Sequence, residues 1–235
     1  MDRNLHAGGS LLLKRKRVRN IPFVPVRELS LKEIVQYGFP HDGMSEKMHK
    51  WKQNNLPHLW RGLQRETAAR IAKIGYLSGH VCLTIVAPDG TREEYGLVSL
   101  RVITTVGAQQ VVKAFLGTFS LNNFRYHALG SGSAEETIAD TALTTEHSSL
   151  YGTPNTRTTG TLQQGVSATV FRTVGTTTLS GTALIAEFGL FSQAATNSGS
   201  PTGGYMFDRA LITPETILVG YSLVSDYRLG VVSGT

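Results

Sequence analysis

Residues 81–98 read VCLTIVAPDGTREEYGLV, and this stretch indicates the fold class of the chain. Val81–Val86 is a run of mostly β-branched and apolar residues, which is typical of a strand. Pro88-Asp89-Gly90 supplies a turn, because proline presets φ and glycine accepts a positive φ. Thr91–Val98 predicts the returning strand. The stretch therefore predicts a β-hairpin that opens an antiparallel β-structure.

Downstream of this hairpin, short strands separated by Gly-, Ser- and Pro-rich loops continue along the chain. Further strands are predicted over Leu100–Val106, Asn122–Leu129, Val166–Thr178, Thr182–Ser192, Gly204–Ile212 and Thr216–Tyr227. Gly107–Leu116 fits either a short helix or a buried strand, since an apolar run of this length does not separate the two. Residues 140–165, rich in Thr, Ser and Gly, predict long loops with short edge strands. About eight strands are typical of a β-sandwich or jelly roll, so we expect a jelly-roll-like β-sandwich over residues 80–235.

The region before the hairpin, residues 1–79, predicts a basic and partly helical N-terminal arm. The first 80 residues contain 15 Lys and Arg against 6 Asp and Glu, whereas residues 81–235 contain 8 against 11. Ser30 followed by Glu33 has the capping-box pattern and predicts a short helix that ends at Gly38. Further helical segments are expected around Ser45–Asn54 and Leu63–Ile74. We expect this arm to reach across a neighbouring subunit.

Cysteine content and hydropathy bound the cellular setting of the chain. Cys82 is the single cysteine, which excludes an intramolecular disulfide and suits a chain made and assembled in a reducing cytoplasm. No stretch approaches the length of about 20 apolar residues that a membrane helix needs. The first residues lack the apolar core of a signal peptide. We therefore expect a soluble chain with no membrane partner.

The sequence contains no pattern that predicts catalysis, a cofactor or a metal site. Its seven histidines are scattered, without the spacing of metal ligands. Glu146 and His147 are neighbours, and adjacent strand residues point to opposite faces, so they are not expected to act together. Residues 130–133, GSGS, lack the lysine of a phosphate-binding loop. We expect a protein that is not an enzyme.

A cluster of cations in the arm is the strongest candidate for partner binding. The predicted partner-binding residues are Lys14, Arg15, Lys16, Arg17, Arg19, Phe23, Trp51 and Trp60. Such a cluster suits an acidic neighbouring subunit, which we favour, but also a nucleic-acid backbone or a solvated tail. The two tryptophans are interpreted as packing anchors between arm and body.

The segment Leu184–Phe191 predicts a central strand, because both of its alternating faces are largely apolar. Glu187 lies within it. A buried carboxylate needs a cationic partner, and Arg172 and Arg209 are the candidates. The alternative places Glu187 at a strand end in water.

Four landmarks in the second half resemble a diffuse family of tailed-bacteriophage virion proteins. They are the strand at residues 101–107, the segment 124–132 followed by 140–146, the strand at 171–176, and the segment 185–193 leading to 206–210. Proteins of this kind are structural β-domains found as capsid decoration (cement) proteins or as tail, collar and fibre modules. The resemblance implies no catalysis.

Together these observations predict a structural virion component, with capsid decoration as the leading expectation. The expected partners are the major capsid protein or other virion proteins and further copies of the chain, as a trimer or a larger oligomer. A neck, collar or tail-fibre attachment protein is the first alternative, and a nucleic-acid-binding protein that uses the arm is the second. Deleting residues 1–27 is expected to leave a folded β-body that no longer assembles.

Overall fold

The computed structural model describes residues 24–25, 27, 29–73, 76–101, 103–151, 155–163, 169–195 and 203–232. These residues form a mainly β fold with two antiparallel sheets, as predicted. The helices are α1 (Leu31–Gly38), α2 (Glu46–Ile71) and α3 (Thr105–Phe115), with a 3₁₀ turn at Leu121–Asn123. The strands are β1 (Tyr76–Val86), β2 (Arg92–Arg101), β3 (Tyr126–Gly130), β4 (Thr158–Thr159), β5 (Thr161–Gln163), β6 (Val170–Thr178), β7 (Ala183–Phe191), β8 (Met206–Ile217) and β9 (Ser222–Val232).

The two sheets enclose the main hydrophobic core. The first has the order β2-β1-β9-β6-β5 and the second β4-β3-β7-β8. Val81 of β1, Tyr227 of β9, Phe188 of β7 and Phe207 of β8 belong to one cluster of buried side chains. Since these strands come from both sheets, the inner faces of the sheets pack against each other.

The predicted hairpin is confirmed as β1 and β2, and two β-bulges shape it. The pairing register shifts so that Tyr95 and Val98 of β2 each fall between paired positions. Both side chains lie in the core between the sheets. Gly96 beside the first bulge has φ +63°, a left-handed conformation that glycine adopts without strain. The bulges therefore direct two additional side chains into the core.

Strand β7 is a central strand buried on both sides, as predicted. Every residue from Ile185 to Phe191 is buried. The pairing with β8 is irregular between Ile185 and Glu187, opposite Pro214, which has no N–H for the ladder. Ile185 joins the same core cluster as Phe188, so the strict alternation expected for this strand is broken there.

The sheets are joined along both edges. On one edge, β4 and β5 belong to different sheets and are separated only by Gly160, so the chain crosses from sheet to sheet there. On the other edge, buried Asn55 of α2 donates its Nδ2 to Val98 O of β2, at 2.7 Å, and accepts from Thr213 N of β8, at 2.9 Å. One side chain thus bridges two sheet edges that do not pair directly.

The capping box predicted for α1 is confirmed, but the two helical segments predicted next are one helix. Ser30 Oγ accepts from Glu33 N, and the Glu33 side chain accepts from Ser30 N. The 26-residue α2 continues through Pro57, which provides no N–H for an internal hydrogen bond. Burial of a continuous face of α2 against the sheet offsets that loss.

Residues 29–73 pack against the chain's own five-stranded sheet, which corrects the expectation that this part of the arm reaches a neighbour. Leu59 and Leu63 of α2 share a buried cluster with Leu97 and Leu100 of β2. A Cβ added at Gly62 would overlap Leu100, so glycine permits this close approach. Apolar burial on the sheet keeps these helices in place. The division at residue 80 remains a prediction.

Two further expectations differ from the structure. The strand predicted over Leu100–Val106 ends with β2 at Arg101, and Thr104 then caps α3, whose N–H at Gly107 donates to Thr104 Oγ1 at 2.9 Å. The ambiguous apolar run is therefore a helix.

A jelly-roll topology is not confirmed. The β1–β2 hairpin lies within the five-stranded sheet, and the β7–β8 hairpin lies within the four-stranded sheet. In the part of the chain that the structure describes, no helix has the length and apolar character needed to cross a bilayer.

Candidate interaction surfaces

The residues predicted to contact a partner fall into three groups. Lys14, Arg15, Lys16, Arg17, Arg19 and Phe23 lie outside the described residues. Trp51 is buried and packs edge-to-face on Tyr95, with ring centroids 4.7 Å apart. It is an internal anchor between helix and sheet, which corrects its assignment to a partner surface. Trp60 lies on the exposed side of α2 with half of its surface open, and its partner role stays a prediction.

The chain following the basic cluster is held on the outer face of the five-stranded sheet. Arg228 of β9 donates from Nη1 to Val24 O, at 2.9 Å, and to Pro25 O, at 2.7 Å. Its guanidinium also pairs with Asp226, which pairs on its other side with Arg172. A charged cluster that is largely buried thus fixes the place where the basic arm joins the body.

A Glu, a Ser and a His meet under α2, but not as a catalytic triad. Ser78 Oγ and Glu66 Oε1 each lie 3.1 Å from the same ring nitrogen, Nε2 of His80. In a catalytic triad the acid and the nucleophile use different ring nitrogens. Burial alone would raise the pKa of Glu66, but hydrogen bonds with His80 and Ser78 hold this pKa below its usual value. The group ties α2 to β1.

Glu187 is fully buried and pairs with Arg209, one of its two predicted partners. Arg209 Nε donates to Glu187 Oε2 at 2.9 Å. The other carboxylate oxygen accepts from Gly132 N, at 3.0 Å, and from Thr145 N, at 2.8 Å. The predicted alternative partner, Arg172, pairs with Asp226 instead. This arrangement fastens the loop after β3 to the outer face of the second sheet.

A second buried carboxyl group lies at the boundary of the two sheets. Asp208 Oδ2 accepts from the Tyr227 hydroxyl at 2.9 Å, whereas Oδ1 has no hydrogen-bond partner among the described residues. Burial raises the pKa of Asp208 to about 7, although the nearby Arg101 and the Tyr227 hydroxyl act in the opposite direction. Arg101 itself pairs with Glu136 and donates to Leu211 O at 3.0 Å. These contacts link β2, β8 and β9.

The neighbours Glu146 and His147 have separate partners and lie outside the named strands. Glu146 accepts from Arg157 Nε at 2.7 Å, and His147 Nε2 lies 2.9 Å from Leu184 O. Arg157 also lies over the ring of Phe191, 3.5 Å from its centroid. Among the described residues, no group of three or more His, Cys, Asp or Glu side chains could hold a metal ion.

Helix α3 presents a group of adjacent exposed apolar side chains. Val112, Phe115 and Leu116 follow at i, i+3 and i+4, so they share one face. Phe115 is 87% exposed and Leu116 is 71% exposed. Leu121 lies partly exposed just after the helix. Contiguous exposed apolar side chains are typical of an interaction site. We call Val112, Phe115, Leu116 and Leu121 the α3 patch.

The α3 patch could not be predicted from the sequence, because the apolar run at Gly107–Leu116 fits a helix and a strand equally well. Had Gly107–Leu116 been read as a helix, its apolar residues would exceed what one buried face requires. Val111 packs against the core, while Val112 and Phe115 lie outside it. A helix that is apolar on two faces is a signal for a second contact partner.

Comparison with known proteins gives no family for this chain. No protein-family model matches it, and no curated protein matches it significantly.

Proposed function

We propose that this chain is a structural component of a tailed-bacteriophage particle, most favourably a capsid decoration protein that works as an oligomer. Its partners would be the major capsid protein or other virion proteins, together with further copies of itself. The resemblance of four segments in the second half to virion proteins points to this class. The proposal includes no catalytic step.

The α3 patch is the observation that carries the proposal. A soluble monomer rarely places Phe115 and Leu116 side by side in water, because each exposes apolar area that association would bury. By contrast, the buried ionisable groups described above bind other parts of the same chain, for example Glu187 with Arg209. The body is thus held together internally, and the apolar surface remains for a partner.

We also propose that the two sheets form a β-sandwich. Two antiparallel sheets with a shared core fit a β-sandwich, the architecture of many virion β-domains. In such a particle the β-body would provide a rigid contact surface, while Lys14–Arg19 and Trp60 would contact an acidic shell.

Quantitative mass spectrometry of purified particles from the source tests this proposal. Presence of the chain at a copy number comparable to the major shell protein supports decoration. A copy number equal to that of one ring would instead support the neck or collar alternative. Absence of the chain from particles would overturn the virion proposal.

The basic cluster favours one further candidate, binding to nucleic acid. Each phosphate neutralised by Lys or Arg releases counterions, so the logarithm of the affinity for DNA would fall linearly with the logarithm of salt concentration. Replacing Lys14, Arg15, Lys16 and Arg17 by Gln should reduce that slope if the cluster binds DNA. A variant that instead binds particles more weakly than the unmodified chain does, by the same factor with and without nuclease, would favour the acidic shell as the partner of the cluster.

A further inference from the structure

Two different exposed apolar surfaces lie at opposite ends of the β-body. The α3 patch is at the end where β8 begins, because Thr104 N, just before α3, donates to Phe207 O at 2.9 Å. At the other end of β8, Leu218 and Val219 in the β8–β9 turn are each more than half exposed. The 12-residue length of β8 separates the two surfaces by roughly 35 Å.

The second surface is formed by turns that come together at one end of the sheets. The register pairs Val86 of β1 with Ser222 of β9, and Ala183 of β7 with Ile217 of β8. A Cβ added at Gly220 would lie 3.7 Å from Pro88 Cγ, which places the β8–β9 turn beside the β1–β2 turn. We call the β1–β2 and β8–β9 turns, residues 87–91 and 218–221, the turn end.

The two ends carry opposite charge. Residues 105–123, which include the α3 patch, contain one charged residue, Lys113, and it is exposed. Beside the turn end, residues 87–94 contain three carboxylates, Asp89, Glu93 and Glu94, against one cation, Arg92. Lys47 lies 3.2 Å from Glu93 and 2.9 Å from Glu215, so four carboxylates face two cations and the end stays acidic. Apolar surface and complementary charge thus occur on the two ends of the same chain.

We infer that copies of this chain associate head to tail, with the α3 patch of one copy packed on the turn end of the next. Lys113 would then approach the carboxylates of the β1–β2 turn. A symmetric contact between two α3 patches would instead bring Lys113 of one copy towards Lys113 of the other. A head-to-tail contact leaves one free end of each kind, so it continues into a ring or a row. This inference deepens the proposed function and rests on it for the expectation of self-association.

Two end-blocked variants test the inference by sedimentation velocity. The helix-blocked variant carries Val112→Gln and Phe115→Gln, and the turn-blocked variant carries Leu218→Gln and Val219→Gln. Each variant alone should associate at least about ten-fold more weakly than the unmodified chain. An equimolar mixture should form a heterodimer and nothing larger, because each variant retains the end that the other has lost.

Val35→Gln with Ile71→Gln is the matched control, since both side chains are exposed on α1 and α2 and belong neither to the α3 patch nor to the turn end. The control should associate like the unmodified chain, and thermal melts should show that all variants fold. A turn-blocked variant that associates normally would indicate a symmetric α3 contact and overturn the inference. A mixture without heterodimer, or an unmodified chain that stays monomeric, would overturn it as well.

Failure of the inference and failure of the proposed function are distinguishable. If the chain is present in purified particles but its mixed variants form no heterodimer, the virion role stands and the head-to-tail contact is wrong. If the chain is absent from particles but its mixed variants form the heterodimer, the head-to-tail contact stands and the virion role is wrong.

Discussion

Glu187 shows how a single buried charge can organise a large loop. Its carboxylate accepts hydrogen bonds from Arg209 and from backbone N–H groups at Gly132, Thr144 and Thr145. An unpaired charge at this depth would be costly, and the loop after β3 would lose its attachment. The ion pair is therefore a structural element of the second sheet.

Replacing Glu187 by Gln should destabilise the protein by about 3 kcal/mol, because Arg209 would stay buried with only Asp140 as a counter-charge. The matched control is Glu135→Gln, whose carboxylate is mostly exposed beside Arg61 and should change stability by less than about 0.5 kcal/mol. Denaturant unfolding followed by tryptophan fluorescence measures both. Equal effects of the two substitutions would contradict the structural role of Glu187.

Asp208 makes stability depend on pH near neutrality. Its pKa of about 7 in the folded protein lies above its value of about 3.9 in the unfolded chain. The folded state therefore holds the proton more tightly, and this contribution to stability is complete below pH 4 and is lost as pH rises through 7.

Asp208→Asn should remove that dependence. From pH 4 to pH 8, the free energy of unfolding of the unmodified chain should fall relative to that of the variant, by up to about 4 kcal/mol. Denaturant unfolding of both proteins across this range measures the difference. A difference that is constant with pH would show that Asp208 does not titrate there.

At the scale of elements, α2 determines how the edge between the sheets is closed. Asn55 bridges Val98 and Thr213 on strands that do not pair with each other. The same helix places Trp51 against Tyr95 and brings Gly62 onto Leu100. Helix α2 therefore packs on the β-body, although its sequence was assigned to the partly helical N-terminal arm.

Asn55→Ala should lower the free energy of unfolding by about 2–3 kcal/mol, since it leaves a carbonyl of β2 and an N–H of β8 without their bonds. Asn54→Ala changes the exposed neighbour on the same helix and should be nearly neutral. Hydrogen exchange gives a second readout, because the amide of Thr213 should lose protection in the first variant only. Retained protection at Thr213 would contradict the bridge.

At the scale of the whole molecule, the structure moves the boundary of the removable N-terminal segment. Val24 and Leu29 are buried under the helices, and Arg228 binds the carbonyl oxygens of Val24 and Pro25. The deletion of residues 1–27 expected from the sequence would therefore remove part of a packed cluster. A cut before residue 24 spares these contacts.

Deletion of residues 1–23 should leave the melting temperature nearly unchanged and abolish binding to particles. Deletion of residues 1–29 should in addition lower stability by about 2–4 kcal/mol, through loss of two buried side chains. Calorimetry and co-sedimentation with stripped particles measure the two effects separately. Equal melting temperatures of the two truncated proteins would contradict the packing of Val24 and Leu29.

Features that depend on neighbouring residues could be predicted from the sequence. The Pro-Asp-Gly turn, the strand period on either side of it and the Ser30–Glu33 capping box were each predicted correctly, because their physical causes lie within a few residues. Features that depend on distant contacts became visible in the folded chain alone. The bulges at Tyr95 and Val98, the continuity of α2 through Pro57 and the choice of Arg209 by Glu187 each follow from burial against residues far along the chain. The exposure of the α3 patch also depends on distant contacts, because packing of one face of α3 against the core defines which face stays exposed.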